Sequence, residues 1–200
     1  MKKLKINRGF TLIELLIVIT LLGILAVAVL SAINPIEQIN RSKDTATRGD
    51  AEQLINATDR YYASKGYYPW MENGQSENTS IDPMVEITAI DQTFGTDAVA
   101  MLGQLSSGGT AEIKESYVNR IIAGTARHLW IYNKGDQGDS TYVCFIPRSA
   151  DFREKAWNRC KETADFGNLP SDYSSTACPA VDCTNAGDAK DATACYSCLP

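Results

Sequence analysis

The chain has 200 residues, 44% of them hydrophobic and 22% charged, with one histidine and a formal charge of −5. That length suits one medium domain plus an appendage and excludes two ordinary domains. The acidic balance excludes a basic nucleic-acid-binding surface spread over the whole fold, and six cysteines confined to the stretch from Cys144 to Cys198 indicate maturation outside the reducing cytoplasm.

Nearly all the long apolar sequence precedes position 35. Lys2, Lys3, Lys5 and Arg8 place four positive charges in the first eight residues, and between positions 9 and 36 the only ionisable residue is Glu14. The apolar run 12–30 is long enough to cross a bilayer, which takes about 20 helical residues. The basic cluster then stays in the cytoplasm and the remainder lies outside. An ordinary secretory signal, cut near Ala26-Val27-Ala28, fits poorly, because such apolar regions run about 7 to 15 residues and carry no acid. A plain single-pass anchor explains the length but leaves Glu14 without a role. A carboxylate at membrane depth costs on the order of 2.5–3.5 kcal/mol and calls for a partner. Cleavage between Gly9 and Phe10 supplies one: the new amine of Phe10 begins a helix with Glu14 about one turn along, and amine and carboxylate on neighbouring subunits neutralise each other. Removing either strands the other charge.

The run Arg8-Gly9-Phe10-Thr11-Leu12-Ile13-Glu14-Leu15-Leu16 resembles the prepilin leader and cleavage motif of type IV pilins and type II secretion pseudopilins. The resemblance implies cleavage after Gly9 by a membrane prepilin peptidase, N-methylation of Phe10 and a role for Glu14 in assembly. It also implies an inner-membrane assembly platform as partner. The implied fold is α+β, with a long N-terminal helix whose first half spans the membrane, packed on a small antiparallel sheet. The expected segments are a leader (1–9), an apolar assembly helix (10–34), an amphipathic second half (35–65) and an extracytoplasmic domain (66–200) with a cysteine-rich end (171–200).

Asn34-Pro35 interrupts the apolar run, and proline there kinks or loosens the helix. Relatives often break earlier, where this chain reads Leu30-Ser31-Ala32. Ile39, Ala46, Leu54, Ile55, Thr58, Tyr61 and Tyr62 then fall near helical spacing among charged residues. Gly49 weakens this stretch by roughly 1 kcal/mol relative to alanine. The helix is expected to stop at Ser64-Lys65-Gly66, with glycine as C-terminal cap and Pro69 following. A helix over 10–65 would measure about 84 Å at about 1.5 Å per residue. The stretch from Ala51 to Pro69 resembles the end of the long pilin helix, and its tyrosines read as core and subunit contact.

Val85-Glu86-Ile87 suggests a short strand, residues 97–105 a short helix opened by Thr96 or Asp97, and residues 106–109 a turn. The runs 128–132 and 141–146, separated by the Gly/Asp-rich stretch 133–140, predict a β-hairpin. A short helix is expected over 150–159. Residues 171–200 are poor in large apolar side chains and carry −3, so they need covalent staples to order.

Those staples are expected from Cys144, Cys160, Cys178, Cys183, Cys195 and Cys198. Disulfides are the simpler reading outside the cytoplasm, with Cys144–Cys160 as one bridge because each flanks a predicted element. The alternative is a zinc site at Cys178, Cys183, Cys195 and Cys198, whose first pair is spaced widely for that metal. A C-terminal disulfide loop is a further point of resemblance to type IV pilins. Asp172, Asp182, Asp188 and Asp191 match no calcium loop and read as a solvated acidic tail. Asn40, Asn56 and Asn78 begin glycosylation sequons of little meaning in a bacterium. His128 reads as a packing or surface histidine. No phosphate-binding loop, zinc-protease motif or nucleophile elbow occurs. With the resemblance, these features imply a non-enzymatic structural subunit expected to need no cofactor or metal, held in the inner membrane as a precursor and carried to the cell surface in a homo-oligomeric filament. The alternatives are a secretion pseudopilin, a minor pilin or a membrane-anchored binding protein.

Overall fold

The computed structural model describes residues 9–32, 34–71, 80–94, 99–107, 111–123, 128–136, 138–161, 170–178, 182–184 and 194–200. The chain divides into two units, Met1–Gln38 and Ile39–Pro200. The first unit is dominated by α1 (Leu12–Ala32). Its stretch Leu12–Ser31 is, among the described residues, the one helix long and apolar enough to cross a membrane.

The interruption expected at Asn34-Pro35 is complete enough that α2 (Pro35–Lys65) has its own start. Pro35 lacks an N–H and so fits the first helical position, where no intrahelical acceptor is needed. Asn34 Oδ1 accepts the next two backbone donors, Ile36 N–H at 3.2 Å and Glu37 N–H at 3.3 Å. The other end of α2 is the glycine cap that the sequence suggests. Gly66 has φ +80° and donates its N–H to Tyr62 O at 2.7 Å.

The second unit is built on α2. Its buried side chains are Asp44, Thr47, Asp50, Ala51, Leu54, Ile55, Ala57, Thr58 and Tyr61, a stripe of helical spacing. Ile39 and Tyr62, expected on that stripe, are exposed. Polar residues occupy its first two turns because they have partners on other elements. Arg120 Nη2 donates to Asp50 Oδ1 at 2.7 Å, and the Tyr117 hydroxyl donates to Asp50 O at 2.6 Å. Both come from α4 (Glu115–Ile122).

A four-stranded antiparallel sheet in the order β1-β2-β3-β4 completes the core: β1 (Ile81–Glu86), β2 (Trp130–Asn133), β3 (Tyr142–Phe145) and β4 (Ser197–Leu199). The predicted hairpin is β2–β3, with Ile131 opposite Val143. Alternation sends Ile81, Ile131, Val143 and Phe145 into the main core with Leu54, Ile55 and Tyr61 of α2. Trp130, Tyr132, Tyr142, Cys144 and Cys198 form a second cluster with Ala177, Tyr173 and Tyr196. Both faces of β2 and β3 are therefore covered, and every residue of these strands is buried. Gly135 in the hairpin loop has φ +103°, and a β-carbon there would sit 2.8 Å from Ser80 Cβ, so the loop passes against the start of β1.

Both sheet edges are occupied. On β1, Pro83 has no N–H to offer, and Gln92 Nε2 donates to Glu86 O at 2.7 Å. On β4, Arg159 Nη1 donates to Cys198 O at 2.8 Å. Arg159 belongs to α5 (Ala150–Lys161), which runs two residues past its expected end. Between β1 and β2 lie α3 (Met101–Ser106) and α4. Ala100 precedes α3 without a side-chain cap. Thr96 and Asp97, expected to open that helix, lie outside the described residues.

Candidate processing and assembly site

The start of α1 is a reciprocal hydrogen-bonded turn. Thr11 Oγ1 accepts the Glu14 N–H at 3.3 Å, while Glu14 Oε2 accepts the Thr11 N–H at 2.9 Å and the Thr11 hydroxyl at 2.8 Å. This is the capping box of a Thr-x-x-Glu sequence, which satisfies donors that a helix N-terminus otherwise leaves open. The first backbone helical bond follows, from Leu15 N–H to Thr11 O at 3.2 Å. Gly9 and Phe10 lie before the helix and are exposed, Phe10 at 88% of its full surface. Gly9, Phe10 and Glu14 thus sit on one short segment. The sequence points to a partner for Glu14 on another subunit; within this chain its carboxylate is already held by Thr11, which the sequence does not single out. The Thr11-x-x-Glu14 spacing was the available signal.

Beyond the cap, the α1 side chains from Leu12 to Leu30 are exposed, from Val18 at 47% to Leu12 at 88%. Gly23 leaves a shallow apolar groove on this surface, lined by Thr20, Ile24 and Val27. No folded domain needs this much uncovered apolar side chain for its own core.

In the second unit the six cysteines form three disulfides: Cys144–Cys198, Cys160–Cys178 and Cys183–Cys195. The expected Cys144–Cys160 bridge is corrected. β4 brings Cys198 directly opposite Cys144 across the ladder, on the face away from α2. Cys160, on α5, is joined to Cys178, next to the short 3-10 turn Ser175–Ala177. The four zinc candidates are divided among three bridges, so they do not converge as ligands.

The acidic residues of the tail also have local work. Asp172 accepts Ser140 N–H at 2.7 Å and the Tyr142 hydroxyl at 3.0 Å, tying the tail to the hairpin. Desolvation raises the Asp172 pKa, but these hydrogen bonds outweigh it and hold the carboxyl below its usual value. Burial, reinforced by the hydrogen bond to Asp172, pushes the Tyr142 hydroxyl up to about 12. Asp182 accepts the backbone N–H and hydroxyl of Thr184, which lower its pKa. Asp188 and Asp191 lie outside the described residues, as does Asn78. Asn40 is half-buried, and Asn56 is exposed with its amide on Glu52 O. Among the described residues no group of three or more histidine, cysteine or acidic side chains is placed to hold a metal ion. His128 pairs through Nδ1 with Glu86 Oε1, just ahead of β2.

The family model described as the prokaryotic N-terminal methylation motif matches residues 4–30, which include the Gly9–Phe10 junction and most of α1. A type IV major pilin protein PilE1 of Neisseria gonorrhoeae is 30% identical over 143 residues, covering 71% of this chain and 78% of that protein. The chain belongs to the type IV pilin family. A second gonococcal PilE1 is 29% identical over 179 residues, 86% of this chain and 92% of the relative. The fimbrial protein EcpC of Eikenella corrodens is 26% identical over 175 residues, 88% and 95% respectively. No solved structure matches this pilin. Its family consists of structural subunits, and its α+β architecture, apolar first helix and disulfides agree with that membership.

Proposed function

We propose that this pilin is made as an inner-membrane precursor, cut after Gly9 by a prepilin peptidase, methylated on Phe10, and polymerised through an inner-membrane assembly platform into a fibre on the cell surface. The leader is residues 1–9, the assembly helix 10–34, the connecting helical half 35–65 and the fibre-surface domain 66–200. The observation that carries this reading is the junction Gly9–Phe10, exposed ahead of a capped helix whose apolar side chains are uncovered along its length. Losing the leader removes four positive charges and takes the chain from −5 to −9, which releases it from the cytoplasmic face of the membrane. Copies of α1 bundled together then bury the apolar surface that lipid covered, at about 25 cal/mol per Å².

In this reading Glu14 has two successive partners. Thr11 satisfies the carboxylate in the subunit, and the freed amine of Phe10 on a neighbouring copy competes for it in the fibre. The ammonium is the stronger partner because the pair is charged on both sides. The relatives named as major pilins and fimbrial proteins favour a pilus over a secretion pseudopilin. Intact and N-terminal peptide mass spectrometry of the fibre fraction tests the proposal. A chain beginning at N-methyl-Phe10 is expected; one beginning at Met1, or near residue 29, overturns it.

A further inference from the structure

We propose that the hydroxyl of Thr11 is a positioning group for precursor cleavage: it fixes the start of α1 so that the Gly9–Phe10 peptide stays out of the helix and open to the peptidase. The inference rests on the processing step proposed above. Hydrolysis of that peptide adds one water across the bond, leaving a carboxylate on Gly9 and an amine on Phe10. An endopeptidase needs that carbonyl unengaged and its flanking backbone extended, which is why exposed, non-helical segments are the preferred points of cleavage.

The α1 start has two competing registers. In the observed one, Thr11 is the N-cap, its Oγ1 takes the Glu14 N–H at 3.3 Å, and Glu14 Oε2 takes the Thr11 N–H at 2.9 Å. The first carbonyl drawn into the helix is then that of Thr11, which accepts Leu15 N–H at 3.2 Å. The competing register starts two residues earlier on Gly9, since glycine is the other acceptable N-cap in the segment and Phe10 is a poor one. An N-cap carbonyl accepts the first intrahelical bond. In that register the Gly9 carbonyl, the one to be attacked, is bonded to Ile13 N–H, and the Glu14 N–H turns to Phe10 O. The scissile peptide and the Phe10–Thr11 peptide are then drawn into the first helical turn. The box blocks this by occupying the Glu14 N–H with the Thr11 hydroxyl and by tying back the Thr11 N–H. The hydroxyl's bond to Glu14 Oε2, at 2.8 Å, holds the carboxylate in place for the task. Thr11 thereby acts on the reaction without touching the scissile atoms.

The test uses the full-length precursor in detergent or proteoliposomes with a purified prepilin peptidase, comparing Thr11→Val, which keeps the shape, with Thr11→Ser, which keeps the hydroxyl. Loss of an N-cap shifts the balance of registers by about fivefold. A smaller competent fraction weakens apparent affinity in proportion. With the observed register at least half populated in the wild type, Thr11→Val is therefore expected to raise KM by up to about threefold with kcat little changed, and Thr11→Ser to restore it. Carbon chemical shifts of Gly9 and Phe10 in micelles should move toward helical values in Thr11→Val alone. Three results overturn the inference: equal KM for wild type and Thr11→Val; a slowed Thr11→Val with no helical shift at the junction, meaning the peptidase reads the hydroxyl directly; or a Thr11→Ser as slow as Thr11→Val. If the wild-type precursor is not cut after Gly9, the processing proposal itself fails, a result distinct from these.

Discussion

Asp44 on α2 holds the start of α5, and its removal should be the most damaging single loss of a polar side chain in the domain. Asp44 is 2% exposed. Oδ1 and Oδ2 accept Arg148 N–H at 2.9 and 3.1 Å, and Oδ2 accepts Ser149 N–H at 2.8 Å and the Ser149 hydroxyl at 2.6 Å. These donors precede α5, whose N-terminal end also favours negative charge. Asp44→Ala leaves two backbone donors and one hydroxyl without that acceptor. Each buried donor left unpaired costs about 1–3 kcal/mol, reduced where water enters the space the side chain vacates. A net loss of about 3 kcal/mol follows, or about 6–12 °C in Tm for a chain of this size. Asp44→Asn keeps an acceptor oxygen but loses the charge and should cost about 1–2 kcal/mol. The assay is urea unfolding of the full chain in detergent with disulfides intact, followed by tryptophan fluorescence. Arg41→Ala serves as the control, since its bridge to Asp151 at 3.1 Å has its arginine half exposed and should be worth under about 1 kcal/mol. If Asp44→Ala unfolds within about 0.5 kcal/mol of wild type, or no more readily than Arg41→Ala, the assignment of Asp44 as the anchor of α5 is wrong.

The disulfides should rank by the loops they close. Replacing Cys144 and Cys198, 54 residues apart, is expected to cost about 4 kcal/mol by loop entropy, against about 3 kcal/mol each for the 18- and 12-residue separations of Cys160–Cys178 and Cys183–Cys195; urea midpoints of paired serine variants check the order. Asp172 has a depressed folded pKa, so its contribution is full above the unfolded carboxylate value near 4 and is lost as pH falls through the folded value. Asp172→Asn should therefore flatten the acid limb of the stability profile, and an unchanged acid limb would argue against the tie between tail and hairpin. Tyr142 behaves in the opposite sense. Its pKa is raised to about 12, so its contribution is full below the unfolded value near 10 and disappears as pH rises toward about 12. Tyr142→Phe should remove that alkaline loss, as read by thermal melts across this range.

The elements legible in the sequence were those whose information is local. The β2–β3 hairpin is two β-rich runs around a Gly/Asp loop, and the cap at Gly66 follows from its place at the end of a periodic stretch. Elements fixed by distant partners were not legible. β4 is three residues long and exists because Cys198 and its neighbours complete a ladder with residues some fifty positions earlier. α4 has eight residues, and its Tyr117, Val118 and Ile121 face the core in a pattern too short to stand out. The α2 stripe departs from the sequence expectation at its start for a related reason: Asp44 and Asp50 look like surface residues until α5 and α4 supply their partners. Cysteine pairing failed in the same way, since flanking an element says nothing of which strand lies opposite.

The candidate site divides along the same line, and the division carries its physics. Gly9, Phe10 and Glu14 stand out as candidates because the pattern that proposes them is written in adjacent residues: a junction, a helix start, and one acid in an otherwise apolar run. Thr11 is equally local, but it does not stand out in the sequence because an acid in an apolar run calls for a charged partner, whereas a hydroxyl and a backbone N–H suffice within the subunit. That satisfaction has a consequence for assembly. A carboxylate with no internal partner would draw in the first cation available and be costly to move. One held by two neutral donors can enter the apolar phase and still exchange to a stronger, charged partner, because hydrogen bonds to an ionised acceptor are individually worth only about 1.5–3 kcal/mol. The difference between the two partners, rather than the strength of either, is what the exchange adds to the apolar burial of α1 in this reading. Glu14→Gln should therefore keep the capped helix, since glutamine also completes the box, yet join subunits poorly. Fibre yield measured beside circular dichroism of the precursor separates the two effects, and a Glu14→Gln chain that forms fibres at the wild-type level would remove the exchange from the mechanism.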